Sequence, residues 1–297
     1  MDELVGLRSL SQALNKKLLK RSSAPMSGPS ISRNLGRGLD FAEARQYQPG
    51  DDVRMIDWKV TARSGQTHTK LFVEEREQPV LLLIDMRSNM HFATQGMFKS
   101  VMASRLAALV GWCAVANRDR VGGYVVADDW HGEVRPQAGR RGLMGLFRDV
   151  AHAQKTIATK RPGALAESLK RLNHGVAAGT TVLIFSDFTE FDDQAQRAIG
   201  GLLHKLSFVA VQIADPLEIS LPVKGQYSFA NRGGQHERLN NISMDTRKQK
   251  QHKQRFEAHT QKIETFFVNG RNRHLLLTCD QALDSASLQL LQAIGGR

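Results

Sequence analysis

Short apolar runs and amphipathic stretches alternate along most of this chain, and the alternation predicts its secondary structure. Leucines at helical spacing predict an amphipathic helix over residues 1–21, with basic residues towards its end, where the helix dipole favours cations. From residue 79 onwards, continuous apolar runs typical of buried parallel strands alternate with helical stretches. We therefore expect an α/β protein with a mostly parallel sheet and helices on both faces.

The same patterns place the individual elements. A strand is predicted at residues 69–73, and six more are predicted at residues 80–84, 121–127, 133–136, 181–186, 207–213 and 274–278. Helices are predicted at residues 97–116, 143–153, 164–172, 193–206, 245–267 and 280–294. Prolines and glycines predict short strands and turns near residues 215–244, in the form of a hairpin-like excursion.

Three parts follow from this organisation. We expect residues 1–21 to form the amphipathic helix and residues 79–297 to form the α/β domain. Residues 22–78 form an N-terminal signature segment that begins with a linker rich in Ser, Pro and Gly. The first helix could lie on a membrane or bind a partner, whereas docking on its own domain is the commoner outcome for such a stripe.

A dense cluster of unusual residue choices, RQYQPGDDVRMIDWKVTAR, occupies residues 45–63. Its Pro-Gly pair is a turn signal, an Asp after a turn can cap a helix, and its arginines offer planar forks that bind carboxylates. We expect the opposite charges to pair. Either they form a recognition surface or ionic clasp, or they form a salt-bridge network that shapes a small domain. The residues concerned are Arg45, Tyr47, Gly50, Asp51, Asp52, Arg54, Asp57, Trp58 and Arg63.

This stretch closely resembles the signature R-x-Y-x-P-G-D-D-x-R-x-I-D-W-x-x-x-A-R of domain-of-unknown-function family 58, and residues 36–38 and 74–76 are similar to the same family's flanks. The resemblance implies a small N-terminal domain that carries the motif, followed by a von Willebrand factor A-like, Rossmann-like domain. Members of the family are typically encoded beside MoxR-type AAA+ ATPases. The motif itself implies no activity.

Candidate chemistry lies at two aspartates, Asp85 and Asp187, which each follow an apolar strand. Ligands of open parallel sheets bind beyond the carboxyl ends of the strands. The resemblance implies a divalent-metal site there, built from D-x-S-x-S, a threonine and a later aspartate, and such oxygen ligands suit Mg²⁺. Here Arg87 and Asn89 stand in the two serine positions, and only Thr159 lies near the threonine position, out of register.

The site is therefore degenerate, with Asp85, Asn89 and Asp187 as the candidate metal ligands. We hypothesise that the guanidinium of Arg87 lies between the two aspartates and replaces the ion, because neighbouring carboxylates repel each other at low dielectric. In the other interpretation, Arg87 points to solvent and Asp85 caps a helix. We expect no cofactor, with Mg²⁺ as the alternative.

The amino-acid composition indicates in which cellular compartment the protein is expected. A hydrophobic content of 41% is ordinary for a soluble protein, and the longest apolar run, residues 106–116, is short of the roughly 20 residues that span a bilayer. No signal peptide opens the chain, and two cysteines form neither a disulfide framework nor a paired-cysteine zinc site. We expect a soluble cytoplasmic protein without a transmembrane segment, whose membrane contact, if any, goes through a partner.

The sequence contains no phosphate loop, nucleophile elbow or H-E-x-x-H pair. We therefore expect a non-enzymatic interaction module, an adaptor or co-chaperone that works with a MoxR-type AAA+ ATPase on an unknown client protein. The alternative is a nucleic-acid-binding protein, suggested by the net charge of +12 and the run RKQKQHKQR at residues 247–255. A third class, a metal-dependent hydrolase that uses Asp85 and Asp187, is weakened by the missing hydroxyls.

Overall fold

The structure is a computed structural model that describes residues 1–21, 39–74, 79–155, 161–173, 176–221, 246–268, 270 and 272–295. Its contacts divide the chain into a smaller unit, residues 23–77, and a larger unit, residues 1–22 and 78–297. The elements up to residue 74 are α1 (Asp2–Gly6), α2 (Arg8–Arg21), β1 (Leu39–Gln46), a 3-10 turn (Val53–Met55), α3 (Trp58–Ser64) and β2 (His68–Glu74). In the smaller unit, β1 and β2 form an antiparallel pair.

The larger unit is built on a six-stranded sheet. Its strands are β3 (Pro79–Asp85), β4 (Arg120–Val126), β5 (His131–Gln137), β6 (Thr181–Ser186), β7 (Ser207–Ala214) and β8 (Arg273–Thr278). Its further helices are α4 (Lys99–Ala116), α5 (Arg140–Lys155), α6 (Ala164–Arg171), α7 (Asp193–Gly200), α8 (Pro216–Ile219), α9 (Thr246–Phe267) and α10 (Leu283–Gly295). The strand order is β5-β4-β3-β6-β7-β8, parallel throughout except for β5 at one edge.

Strand β3 shows why the chain folds into three layers. Successive side chains of a strand point to opposite faces, and nearly all of those in β3 are apolar. Val80, Leu82 and Ile84 pack with α4, α5 and α10, whereas Leu81 and Leu83 pack with α6, α7 and α9. Each fully buried leucine contributes about 2 kcal/mol of hydrophobic stabilisation. The predicted mostly parallel sheet with helices on both faces is confirmed.

The first two helices pack on α4 within the larger unit. Leu4 and Leu14 are buried, and the indole N–H of Trp112 on α4 donates to the carbonyl oxygen of Leu4 at 3.0 Å. The guanidinium of Arg8 lies 5.5 Å from the centre of the same indole ring, in a cation–π contact. The leucine stripe therefore docks on the protein's own domain, as two helices that meet at Leu7 rather than as one.

Two predicted elements differ from the structure for local reasons. The helix expected at residues 193–206 ends at Gly200, because two successive glycines disfavour helix continuation. Residues 216–219, expected to begin a hairpin-like excursion, form the helical turn α8. Asp215 and Glu218 make a capping box around it, with Pro216 at the first helical position. The rest of the predicted excursion, residues 222–244, lies outside the described residues.

Strand β1 was not predicted, because its sequence LDFAEARQ lacks the regular alternation of a half-buried strand. Its pairing with β2 supplies the stabilisation instead, with an irregular register between residues 41 and 43. Within the described part of the chain, one helix, α4, is long and apolar enough to cross a membrane, with a mean hydropathy of 1.2. It lies against the sheet and 78% of it is buried within the protein, which accounts for its apolar composition.

Candidate functional site at the carboxyl edge of the sheet

Each of the four central parallel strands is followed by a buried aspartate. Asp85 ends β3, Asp128 follows β4, Asp187 follows β6 and Asp215 follows β7, and none of the four is more than 4% exposed. Because the strands are parallel, their carboxyl ends meet at one edge of the sheet, and the strand order reverses between β3 and β6. Asp85 and Asp187, the two aspartates predicted as candidates, thus lie on neighbouring strands.

The side chain of Arg87 binds Asp85 through two parallel hydrogen bonds. Its Nε donates to Oδ1 of Asp85 at 3.0 Å and its Nη2 donates to Oδ2 at 2.7 Å. The same Nη2 lies 4.0 Å from Oδ1 of Asp187, and Nη1 donates to Oε2 of Glu190 at 2.7 Å. Arg87 is only 1% exposed, so the interpretation that it points to solvent is wrong. Burial opposes its charge, but the three carboxylates outweigh burial and raise the pKa of Arg87.

A second buried cation, Lys99 at the start of α4, was not predicted from the sequence. Its Nζ donates to Oδ2 of Asp187 at 2.8 Å and to Oε1 of Glu218 at 2.5 Å. Burial works against the charged form, yet Asp187 and Glu218 outweigh it and raise the pKa of Lys99. Burial also opposes the charge of Asp187, but Lys99 and then Arg87 hold the pKa of that carboxyl below its usual value.

The acceptor sites of Asp85 are fully used. A carboxylate offers about four lone-pair positions. Those of Asp85 accept the backbone N–H of Arg87 at 3.0 Å, the two guanidinium bonds, and the hydroxyl of Ser186 at 2.6 Å. Asp85 does not cap a helix, because the 3-10 turn that follows, Ser88–Met90, has Arg87 at its N-cap position. Its carboxylate instead holds the turn after β3 and the guanidinium together. The four lone-pair positions of Asp85 are therefore all used in hydrogen bonds to protein groups.

Asn89 and Thr189 complete the shell around Asp187. The side-chain amide nitrogen of Asn89 donates to both carboxylate oxygens of Asp187, at 2.8 and 2.7 Å, and to the hydroxyl of Thr189 at 2.7 Å. The backbone N–H and the hydroxyl of Thr189 each donate to Oδ1 of Asp187 at 3.0 Å. Asn89 therefore faces the site as a donor, whereas a metal ligand would present its oxygen.

Asp128 and Asp215 fix the loop between β3 and α4. Asp128 accepts the backbone N–H of Ser88 at 2.7 Å and that of Arg161 at 3.2 Å. Asp215 accepts the backbone N–H and the hydroxyl of Thr94, both at 2.6 Å. Burial opposes the charge of Asp215, but the bonds from Thr94 lower its pKa. Thr159, near which the sequence placed the threonine position, lies outside the described residues.

The turn after β6 is strained. Phe188 has a φ of +56°, a left-handed conformation that costs a non-glycine residue about 1–3 kcal/mol. Its N–H donates to the hydroxyl of Ser186 at 2.9 Å, and its ring is fully buried in the core with α9. The turn thereby directs consecutive side chains to different places, Asp187 to the charge cluster and Phe188 to the core.

We call these charged side chains the charge cluster: Asp85, Arg87, Lys99, Asp187, Glu190 and Glu218. Its two cations and four carboxylates give it a formal charge of −2. The side chains of Glu190 and Glu218 form its rim and are 19% and 30% exposed. Across the described residues, no group of three or more His, Cys, Asp or Glu side chains is arranged to hold a metal ion.

Both cysteine thiols are poorly suited to nucleophilic chemistry. Burial raises the pKa of Cys113 to about 11. Burial and the neighbouring Asp215, which accepts a hydrogen bond from the thiol at 3.3 Å, raise the pKa of Cys279 to about 12. Because the thiolate is the reactive form, both side chains are inert near neutral pH.

Within residues 39–74, the described part of the smaller unit, the pairing expected among the signature residues forms between Arg45 and Asp51. Arg45 donates to Asp51 at 2.6 Å, and Asp51 also accepts the backbone N–H of Gln48 at 2.9 Å. The bond from Gln48 and then that from Arg45 lower the pKa of Asp51. The hydroxyl of Tyr47 donates to the carbonyl oxygen of Asp51 at 3.4 Å, and Gly50 adopts a φ of +106°, which only glycine adopts readily.

The expectation that the other signature charges pair is wrong, because two of the carboxylates bind backbone N–H groups. Asp52 accepts the N–H of Arg54 at 2.9 Å and caps the 3-10 turn. Asp57 accepts the N–H groups of Lys59 and Val60 at 3.0 and 3.2 Å and caps α3. In the described residues, the guanidinium groups of Arg54 and Arg63 make no ion pair.

The larger unit defines the class of this protein, a mixed α/β protein whose sheet carries a buried, internally paired charge cluster at its carboxyl edge. The chain belongs to the family described as Protein of unknown function DUF58, whose sequence model matches residues 43–265. The resemblance of residues 45–63 to that family is thereby confirmed.

Similar proteins include uncharacterised proteins of Mycobacterium bovis and Mycobacterium tuberculosis, each 27% identical over 219 residues, which is 74% of this chain and 67% of the relative. YeaD of Bacillus subtilis, also uncharacterised, is 46% identical over 44 residues, 15% of this chain and 11% of that protein. Among solved structures, the conserved hypothetical protein BatB from Bacteroides thetaiotaomicron is similar over 74% of this chain and 100% of its own, with 15% identity and a TM-score of 0.43. An aerotolerance-related membrane protein from Bacteroides fragilis is similar over 74% of this chain and 100% of its own, with 13% identity and a TM-score of 0.40.

Proposed function

We propose that this protein is a non-enzymatic interaction module, an adaptor or co-chaperone that works with a MoxR-type AAA+ ATPase in assembling or remodelling a client protein. The observation that carries the proposal is the saturation of the charge cluster. The carboxylate oxygens of Asp85 and Asp187 accept hydrogen bonds from several protein groups, at the edge where an α/β sheet usually binds its ligand. Such an edge is suited to surface recognition rather than to bond-making chemistry.

We also infer a von Willebrand factor A-like fold for the larger unit. Support comes from the strand order β5-β4-β3-β6-β7-β8, with its single antiparallel edge strand, and from the aspartates after β3 and β6. A cytoplasmic location is part of the same proposal, because two free, buried cysteines are ordinary in a reducing compartment.

In this proposal the guanidinium of Arg87 takes the place of the divalent ion. It lies between Asp85 and Asp187, and Lys99 neutralises the far side of Asp187. Isothermal titration of the full chain with MgCl₂ should therefore give no binding heat. Magnesium binding that the Asp85→Ala variant abolishes would overturn the metal-free proposal. A double variant, Arg87→Ser with Asn89→Ser, has the D-x-S-x-S pattern and lacks the guanidinium between the aspartates. It is the positive control, in which magnesium binding is expected.

The partner is tested by retention of a purified MoxR-type ATPase on the immobilised full chain, with and without ATP. The loop between β3 and α4, which joins Asp85 to Lys99, exposes Phe92 and Phe98, which are 38% and 50% accessible. We expect Phe98→Ser to weaken retention. The matched control is Val268→Ser, because Val268 is equally exposed (53%) but follows α9 at the opposite edge of the sheet. Absence of retention by the unmodified chain under both conditions would overturn the adaptor proposal.

A nucleic-acid-binding function is the second candidate, favoured by one observation. Helix α9 exposes Arg247, Lys250, Lys253 and Arg255 along its first half, before Ile263 and Phe267 enter the core. Filter binding with DNA and RNA between about 50 and 200 mM salt separates the two functions, since phosphate contacts make affinity fall steeply with salt. Tight, steeply salt-dependent binding would favour nucleic acid.

A further inference from the structure

In the part of the smaller unit that the structure describes, residues 39–74, an aromatic ring and three basic side chains without an ion pair are exposed. Trp58, the first residue of α3, is 71% exposed, and Val53 in the preceding turn is 64% exposed. Lys59 and Arg63 lie one turn apart on the same side of α3, because residues four apart in a helix are neighbours. Arg54 lies in the 3-10 turn, and these three basic side chains are all exposed. We call these five residues the Trp58 face.

The local fold does not need these side chains. Helix α3 begins at the cap formed by Asp57 and ends at Gly65, whose φ of +70° gives a left-handed C-cap. The ion pair that the signature makes within the described residues, between Arg45 and Asp51, lies elsewhere in the segment. Tryptophan and arginine are the residue types that contribute most to the affinity of protein interfaces. The exposure of a tryptophan and two arginines close together in sequence therefore indicates a surface that binds another molecule.

The charge of the smaller unit distinguishes a protein partner from a nucleic acid. Residues 39–74 contain five Lys and Arg residues against six Asp and Glu residues, so this part of the chain has no general positive field, although the whole chain has a net charge of +12. A phosphate backbone is held mainly by such a field. A peptide carboxylate is held locally instead, by the planar fork of an arginine.

We propose that the Trp58 face is a docking surface for an acidic protein segment that also carries an apolar side chain, an inference that rests on the proposed interaction function. The apolar side chain packs on Trp58 and Val53, and the carboxylates pair with Arg54, Lys59 and Arg63. This chemistry is that of an extended or helical peptide in which Asp or Glu flanks Leu, Met or Phe.

The test is a display library of random 12-residue peptides, selected on the full chain at about 150 mM salt. We expect enrichment of acidic peptides with an apolar residue. Synthetic versions of them should bind at least about tenfold more weakly to Trp58→Ala and to Arg63→Glu, because truncating an interface Trp or Arg commonly has this effect. Arg255→Glu and Val268→Ser are the matched controls on α9 and just beyond it, and they should bind like the unmodified chain.

Several results would overturn the proposal: no enriched acidic peptide, enriched peptides that bind Trp58→Ala unchanged, or a single-stranded DNA 20-mer that competes for the face. Circular dichroism melting curves separate lost binding from lost folding, and the exposure of Trp58 and Arg63 predicts unchanged curves. Retention of the AAA+ ATPase is scored separately with the same variants. If the full chain retains the ATPase but enriches no acidic peptide, this inference alone is overturned. If the chain enriches acidic peptides but does not retain the ATPase, the docking surface stands and the proposed ATPase partner is wrong.

Discussion

At the scale of single residues, burial decides how much the charge cluster matters. Arg87 and Asp85 are 1% and 0% exposed and bonded through two short contacts, whereas the surface pair of Arg171 and Glu167 is separated by 3.5 Å and is half in water. Removing one partner of a buried pair leaves a charge without compensation and costs about 3–5 kcal/mol. An exposed pair contributes about 0–1 kcal/mol.

We therefore expect Arg87→Met to lower the free energy of unfolding by about 3–5 kcal/mol. The substitution keeps an unbranched apolar stem and removes the cation from between Asp85 and Asp187. Chemical denaturation monitored by circular dichroism measures the change. Arg171→Met is the matched control and should cost less than about 1 kcal/mol. Equal effects of the two substitutions would contradict the assignment of the cluster as buried and coupled.

The sequence could identify some of these residues but not others. Asp85, Arg87 and Asp187 are recognisable because each sits at or just after the end of an apolar strand, where the pattern itself marks the edge of the sheet. Lys99 and Glu218 reach the same place through the start of α4 and the turn α8, which are 119 residues apart in sequence. No spacing rule connects them, so their pairing appears only in the folded chain.

At the scale of elements, Gly142 allows a helix to approach the sheet closely. This glycine is near the start of α5, and a Cβ atom added there would lie 1.9 Å from the carbonyl oxygen of Val121 on β4. A real Cβ cannot approach backbone so closely, so α5 can rest on β4 only because residue 142 has no side chain.

Gly142→Ala should therefore destabilise the protein by at least about 1–3 kcal/mol, the usual cost of overpacking. Gly200→Ala is the matched control. Nothing lies within 4 Å of a Cβ at Gly200, at the end of α7, so alanine should be neutral or stabilise by up to about 1 kcal/mol. Thermal unfolding of the two variants gives the comparison, and a stable Gly142→Ala variant would mean that α5 is not held this close to β4.

Apolar periodicity predicted most strands and helices of the larger unit to within a few residues. Buried parallel strands need continuous apolar runs and amphipathic helices need an apolar stripe, so both can be recognised from the order of the residues. Strand β1 and turn α8 were not predicted. The first depends on its partner β2, and the second on a capping box at Asp215 whose carboxylate also binds Thr94. Caps and pairings of this kind belong to particular contacts rather than to a repeating pattern.

At the scale of the whole molecule, stability should decrease at both acid and alkaline pH. The pKa values of Asp187 and Asp215 are lowered, so their ionised forms stabilise the fold above the ordinary aspartate pKa of about 3.9, and this stability is lost as pH falls below it. The pKa of Lys99 is raised, and its contribution is complete below about 10.4 and lost as pH rises through the raised value.

Urea unfolding midpoints measured from pH 7 to pH 3 test the acid side. Burial lowers the pKa values of His259 and His274, so a first decrease in stability should begin as pH falls below about 6.5. A second and steeper decrease should follow below about pH 4. In Asp187→Asn the second decrease should be smaller. An unchanged midpoint between pH 5 and pH 3 in the unmodified chain would contradict the assigned ionisation of the cluster.

A guanidinium and a divalent ion at the carboxyl edge of the sheet differ in whether the solution around the protein can remove them. A divalent ion exchanges with the surrounding solution, so chelators remove it and its occupancy follows the free concentration. A guanidinium attached to the backbone has a fixed stoichiometry and cannot be withdrawn. Under the proposed function, docking at this edge should not depend on metal supply and should persist in EDTA, and we expect its timing to be set by the nucleotide cycle of the ATPase.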